Sequence, residues 1–180
     1  RKGLKFNFDI SHDGSMETFK ALFKIHDDNI RAVNGIPKPY KVFELIHRVF
    51  DYDSDYRIYT AKKDGQIISA LLLFYFKNTV EYFTPSTLDV YRSEQPLSVL
   101  IFRAMQDAIK EKGSKYWNWG GTWKSQHGVY RFKSRWGAHD NKYRYHIKTY
   151  QDIGEADLEV TKILLQEYQW FYIRPISQKS

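Results

Sequence analysis

A chain of 180 residues can bury a full hydrophobic core and amounts to about one domain. Aromatic residues make up 17% of it, which excludes a disordered chain, and the absence of cysteine excludes disulfides, thiolate chemistry and cysteine-ligated metals. Lys and Arg number 28 against 21 for Asp and Glu; the net charge of +7 fits phosphates, tRNA, nucleotide sugars or anionic lipid, and fits a solvated surface equally well.

The chain opens on Arg1 rather than Met, so we expect a piece of something longer, and no signal peptide is visible at this N-terminus. Residues 15–33 begin with a capping Ser15, and Phe19, Leu22, Phe23 and Ile30 recur at helical spacing. The break "NGIPKP" separates them from a second helix, "PYKVFELIHRVF", with Val42, Leu45, Ile46 and Val49 on its apolar face. Then the period changes. "YRIYTAKK" reads as a strand, Asp64-Gly65 as a tight hairpin turn, and "QIISALLLFYF" as the returning strand. Being apolar on both faces, that strand belongs in the sheet centre, and at this length it is far below the ~18 residues of a membrane span. "TVEYFTPS" follows as a third antiparallel strand.

"SEQPLSVLIFRAMQDAIKEKG" is a well-punctuated helix. Pro96 suits its first turn, Gly113 ends it, and Leu97, Leu100, Ile101, Ala104, Ala108 and Ile109 form the expected buried stripe. "SKYWNWGG" is a strand stopped by Gly120 and Gly121, "HGVYRFKSRWG" a short helix, "YRYHIKTY" a further strand and "EADLEVTKILLQEYQWFYI" a last amphipathic helix. A helix between the third and fourth strands implies a parallel crossover in an otherwise antiparallel sheet. The expected class is therefore α/β (α+β), a mixed, mostly antiparallel sheet with helices on both faces. That is the layout of the GNAT-type acyltransferase fold, whose cleft lies where the two parallel strands splay, here expected at Thr84-Pro85 and Trp119-Gly120.

On a helical wheel of 100° per residue, Val129, Phe132 and Trp136 share one side and Arg131 and Arg135 the other. Lys133 falls on the apolar side. An inward lysine snorkels past the helix rim, finds a partner or is used in chemistry. The loop before it sits at a strand's carboxyl end, where open sheets place ligands. Its glycines permit unusual backbone angles and can offer amide N–H groups to an anion, although a tight strand-to-helix turn also accounts for them. An inward lysine beside such a loop makes a site for developing negative charge on a tetrahedral oxyanion.

"WNWGGT" followed by "GVYRFKSRWG" resembles the C-terminal GNAT-like domain of the FemAB family, the Fem-type peptidyltransferases, and related bacterial acyltransferases of polysaccharide and amino-sugar pathways. "RKGLKF", "IRAVNGIPKPYKVFELI" and "YTAKKDGQIISALLLFY" fall where that domain has its entry strand, helix pair and hairpin. The resemblance implies a single GNAT-like domain over residues 1–180, the C-terminal half of a longer protein whose N-terminal GNAT-like half is a partner. It implies transfer of an acyl or aminoacyl group from aminoacyl-tRNA or acyl-CoA, as co-substrate and with no bound cofactor, to a primary amine on a peptidoglycan or amino-sugar precursor. Lys133 would be the catalytic charge stabiliser. Phe132, Gly120, Gly121, Thr122, Trp119, Arg31 and Tyr82 would contact substrate or donor. A cytoplasmic place, at the inner face of the membrane, goes with that chemistry; tRNA and a sugar-nucleotide precursor are the implied partners, and DNA is not. Where the family pattern has a strand-end aspartate this chain has Asn118.

Several features stand apart from that reading. The segment "TPSTLDVYRSEQPL" lacks the glycines with which acetyl-CoA enzymes of this fold cradle a pyrophosphate, although Arg92 and the helix start near Pro96 can meet a phosphate. The histidines show no metal-ligand spacing, so no metal is expected, and His127 fits a surface position at a helix start. Lys124, Arg131 and Arg135 interleaved with Trp117, Trp119, Trp123 and Trp136 also fit a non-catalytic RNA- or polysaccharide-binding module, and Asn118 fits a scaffold half of a two-domain transferase.

Overall fold

A computed structural model describes residues 2–122 and 126–141. The chain divides into a unit Arg1–Ala138 and a second unit, His139–Ser180, and all the described helices and strands belong to the first. The strand expected at 143–150, the helix expected at 155–173, and Trp123 and Lys124 lie outside the described residues.

After a 3-10 turn, Gly3–Lys5, strand β1 (Asp9–Asp13) leads into helix α1 (Met16–Arg31), whose N-terminus Ser15 caps by accepting from the Thr18 N–H. Helix α2 (Tyr40–Val49) follows the proline-bounded break. β2 (Tyr56–Lys63) and β3 (Gln66–Phe76) form the hairpin; Asp64 and Gly65 both have positive φ, 51° and 77°, the signature of a type I′ turn. β4 (Thr79–Thr87) pairs antiparallel with β3. Helix α3 (Pro96–Lys112) ends on Gly113 in the left-handed region, then β5 (Tyr116–Asn118) pairs parallel to β4. Helix α4 (His127–Ser134) is the last described element.

The sheet order is β1-β2-β3-β4-β5, so β3 lies at the centre, as its two apolar faces require. α3 covers one face: Leu100, Ile101, Ala104 and Ala108 pack on Tyr59, Ala61, Leu71, Leu73 and Val80. α1 and α2 cover the other, with Phe19, Leu22, Phe43 and Ile46 on Ile58, Ala70 and Leu72.

The structure corrects four expectations. The entry strand is Asp9–Asp13; "RKGLKF" holds the 3-10 turn instead. α2 buries Phe43 and Ile46 while Leu45 and Val49 face outward, because the helix is pinned by its aromatic side. In α3, Ile109 is exposed and Asp107 is buried, held by Arg103 one turn earlier at 3.0 Å. The parallel pair ends at Glu81↔Asn118, earlier than Thr84-Pro85 and Trp119-Gly120, so the strands separate nearer the start of β4.

Two local devices shape β4. Opposite Leu72 and Leu73 stand Thr84 and Tyr82, leaving Phe83 as a bulged extra residue that twists the strand away. Asn29 of α1 both donates to the Thr87 carbonyl (2.9 Å) and accepts from the Thr87 N–H (3.1 Å), holding the far end of the strand.

Candidate active site

The site begins where β4 and β5 part. Glu81 is the last residue of β4 that pairs with β5, and Asn118 is its partner there. Asn118 donates through Nδ2 to Glu81 Oε2 at 2.6 Å and accepts through Oδ1 from the Gly120 N–H at 3.0 Å. One amide therefore fastens the carboxylate on one side and the glycine loop on the other. Gly120 takes φ 67°, a left-handed angle that turns the chain sharply out of the strand. A side chain there would reach within 3.8 Å of Glu81 Oε1.

Lys133 of α4 comes back onto this loop. Its ammonium donates to the Gly120 carbonyl (3.1 Å), the Gly121 carbonyl (2.9 Å) and Thr122 Oγ1 (2.8 Å). The inward direction read from the wheel holds, but the loop meets the lysine with carbonyl oxygens, while the Gly120 N–H is engaged by Asn118. Burial lowers the Lys133 pKa from the ordinary lysine value, and the Glu81 charge opposes that shift. Burial likewise raises the Glu81 pKa above the ordinary carboxyl value, against the hydrogen bond from Asn118 and the charge of Lys133. A carboxylate and an ammonium thus share one mouth without forming a contact pair.

Aromatic side chains support both. Trp119 touches Tyr82 (5.0 Å between centroids), Trp117 (5.6 Å), Trp136 (6.0 Å) and Phe132 (6.1 Å). These rings lie against the α3-side core, so Trp119 and Trp136 serve as packing that fixes α4. Arg131 and Arg135 face outward.

A cavity lies on each side of β4. The first, about 510 Å³, is lined by Tyr82, Ser86, Arg92, Phe132 and Lys133 together with the start of α3. No side chain caps that helix start, Gln95 stands before it in the left-handed region (φ 62°), and Ser86 Oγ is buried without a protein partner. Uncapped amide groups, a nearby guanidinium and an orphan hydroxyl suit an anion. The second cavity, about 490 Å³, opens on the α1–α2 side and includes Glu81.

The FemAB family model matches residues 54–172, two thirds of the chain, including the whole site. The chain belongs to the FemAB family. No curated protein matches this FemAB member in sequence. Solved structures share its fold at low identity. An aminoglycoside acetyltransferase, meta-AAC0020, from an uncultured soil metagenomic sample, in complex with sisomicin, has a TM-score of 0.61 at 12% identity, covering 79% of this chain and 96% of its own. The aminoglycoside N-acetyltransferase AAC(6')-Iy in complex with CoA gives 0.61 at 12%, over 81% and 96%. The ribosomal-protein-alanine N-acetyltransferase from Brucella melitensis biovar Abortus 2308 gives 0.58 at 11%, over 79% and 99%. The fold is therefore that of the GNAT acetyltransferases, and together with family membership it supports an acyltransferase. Among the described residues, no helix is long and apolar enough to cross a membrane.

Of the residues singled out in the sequence, Lys133, Gly120, Gly121, Thr122, Phe132, Trp119 and Tyr82 come together in this FemAB site. Arg31 does not; it is exposed and bonded to Asp27 at 2.7 Å on its own helix. Glu81 and Ser86 escaped the sequence reading. Glu81 sits between Val80 and Tyr82 on a strand, where a charged residue reads as solvent-facing; pairing with Asn118 would have been the signal.

Proposed function

We propose that this chain transfers an acyl group from a phosphate-bearing carrier to a primary amine. The observation that carries the reading is Glu81 and Lys133 held by Asn118 and the Gly120–Thr122 loop at the mouth of a splayed parallel strand pair, with a cavity on each side. The carrier's phosphates would meet Arg92, Ser86 and the amides opening α3. An acyl-CoA and an aminoacyl-tRNA both present such phosphates, and the acceptor class implied by the family resemblance is an amine of a peptidoglycan or amino-sugar precursor.

In the proposed step the acceptor ammonium gives a proton to the Glu81 carboxylate, and the freed amine attacks the acyl carbonyl carbon. A C–N bond forms and the carbonyl oxygen becomes an oxyanion. Lys133 gives up its bond to Thr122 to meet that oxygen, while the two loop carbonyls keep the ammonium in place. Collapse breaks the C–S or C–O bond to the carrier, the extra proton on the newly bonded nitrogen passes to the leaving sulfur or oxygen, and a neutral amide remains. Glu81 is suited to this role because a raised pKa makes it a better proton acceptor than an ordinary carboxylate.

Lys133 donates to three loop acceptors, which favours a second reading, a scaffold in which the lysine only ties α4 to the loop. Binding of labelled acetyl-CoA and of aminoacyl-tRNA, followed by transfer to a panel of amines, separates the two readings. We expect one carrier to bind and transfer, and Lys133→Ala to cut turnover by about 10²–10³-fold with carrier binding retained. Binding of neither carrier, or full turnover by Lys133→Ala, would overturn the catalytic reading.

A further inference from the structure

The cavity on the α1–α2 side is a groove between the end of α2, the start of β2, the end of β3 and the bulged part of β4. Its lining residues are Phe50, Phe74, Phe76 and Phe83 with Asp55, Glu81 and Tyr75, the last with its ring turned to the α3-side core. Three of the rings interlock edge to face: Phe74 meets Phe50 at 5.1 Å and Phe83 at 5.1 Å. Phe83 is the bulged residue, so the irregularity in β4 is what aims this ring into the groove. The wall is built from large apolar surface that stays partly open, with Phe76 72% exposed and Phe50 42%.

Charge sets the groove apart from the rest of the molecule. In a chain of net charge +7, the charged side chains among its lining residues are both carboxylates. Two of its rings already attract ammonium groups of this chain. Lys38 stands 4.9 Å from the Phe83 centroid and Lys77 5.3 Å from the Phe76 centroid, and neither lysine lines the cavity. Aromatic faces with carboxylates at the ends attract a compact cation and repel a phosphate or carboxylate. One of those carboxylates is Glu81, so a ligand in the groove meets the reaction mouth from the face opposite the cavity that reaches Lys133.

From this geometry we infer that the groove is the acceptor subsite, and that it takes a primary ammonium carried on an aromatic or aliphatic stem. The inference rests on the acyl-transfer reading for its role, but the recognition it describes is independent of any chemistry. The body beside the amine bears no phosphate, and of the two acceptor kinds named above the amino sugar is the poorer fit, because a polyhydroxylated ring leaves the four phenyl rings poorly covered. Asp55 is itself tied down, accepting from the Asp51 N–H (2.9 Å) and from the Ser54 hydroxyl (3.1 Å), so it supplies fixed charge at the groove's outer end. Glu81 receives the ammonium at the inner end.

Calorimetric titration of the whole chain, with no acyl carrier present, tests the recognition alone. The probes are phenethylamine, 3-phenylpropanoate and glucosamine. Phenethylamine is expected to bind, with the anionic isostere and the amino sugar at least about tenfold weaker. Phe76→Ala removes a largely exposed ring and should leave the fold intact while weakening phenethylamine about fivefold. Glu81→Gln should weaken it by a similar factor. Equal or tighter binding of 3-phenylpropanoate or glucosamine, or phenethylamine binding unmoved by both variants, would overturn the assignment. Since no carrier is present, failure of acyl transfer leaves this result standing, and loss of amine selectivity leaves carrier binding standing.

Discussion

Lys133 and Glu81 have opposite requirements: one acts as a cation, the other as an anion. Each is pushed toward its neutral form by burial. Turnover should therefore rise with pH as Glu81 loses its proton, with a midpoint above the usual carboxylate range, and fall again on the alkaline side earlier than an ordinary lysine would dictate. Glu81→Gln should remove the acid limb and leave the alkaline one, which a pH–rate profile of both proteins would read directly. A profile flat across the acid range in the parent chain would exclude Glu81 as proton acceptor. At this scale the sequence made Lys133 legible, because an inward cation violates the polarity of its helix face. Glu81 was illegible: alternation along β4 assigns it to one face of the sheet, and only pairing with Asn118 reveals that this face is the mouth of the site.

Among the elements, the connection between α1 and α2 is held by a buried neutral histidine. His26 is 5% exposed, accepts the Lys38 N–H through Nε2 at 3.3 Å, and has its pKa lowered to about 4 by burial and by the Lys38 charge. Unfolded, the same ring would protonate near 6.5. Its contribution is thus complete above pH 6.5 and is lost as pH falls toward 4, a loss of about 3 kcal/mol at the acid end. Denaturant melts at pH 7 and pH 4.5 should show that loss, and His26→Gln should remove most of the difference. The hairpin, the central strand and α3 were readable because each is punctuated by residues with one structural meaning: Asp64-Gly65, Pro96, Gly113. The outward turn of Leu45 and Val49 was not, because a periodic apolar stripe cannot say which side of it an aromatic anchor such as Phe43 will claim. β1 was missed for a related reason: "DISHD" carries one aliphatic residue, and its strand character comes from pairing with β2.

Across the whole unit, the β2 side of the sheet is fastened by a buried arginine. Arg57, 4% exposed, donates to Asp53 (2.7 Å), Glu111 (2.7 Å) and the Tyr59 hydroxyl (3.2 Å), and Lys112 joins Asp53 as well, through both its carbonyl and its carboxylate. This ties β2 to the last turn of α3, the helix whose first turn borders the carrier cavity. Arg57→Ala should cost about 2 kcal/mol in equilibrium unfolding, since it removes a buried guanidinium from Glu111 and the Tyr59 hydroxyl while Lys112 still holds Asp53; a cost within error of zero would show the cluster to be ornamental. Fold class was legible at this scale from element order alone, whereas the shortness of the parallel pairing, three residues in all, depends on the Asn118 and Gly120 geometry that no periodicity encodes. The packing around Trp119 has a further consequence, an optical one. Three of the chain's five tryptophans, Trp117, Trp119 and Trp136, lie with neighbouring indole centroids 5.6 and 6.0 Å apart. Transition dipoles at that separation couple, so far-ultraviolet circular dichroism of the native chain, where the strong indole band lies, should carry a paired positive and negative band that Trp119→Phe abolishes. Any ligand that shifts α4 would then announce itself in the spectrum without a label.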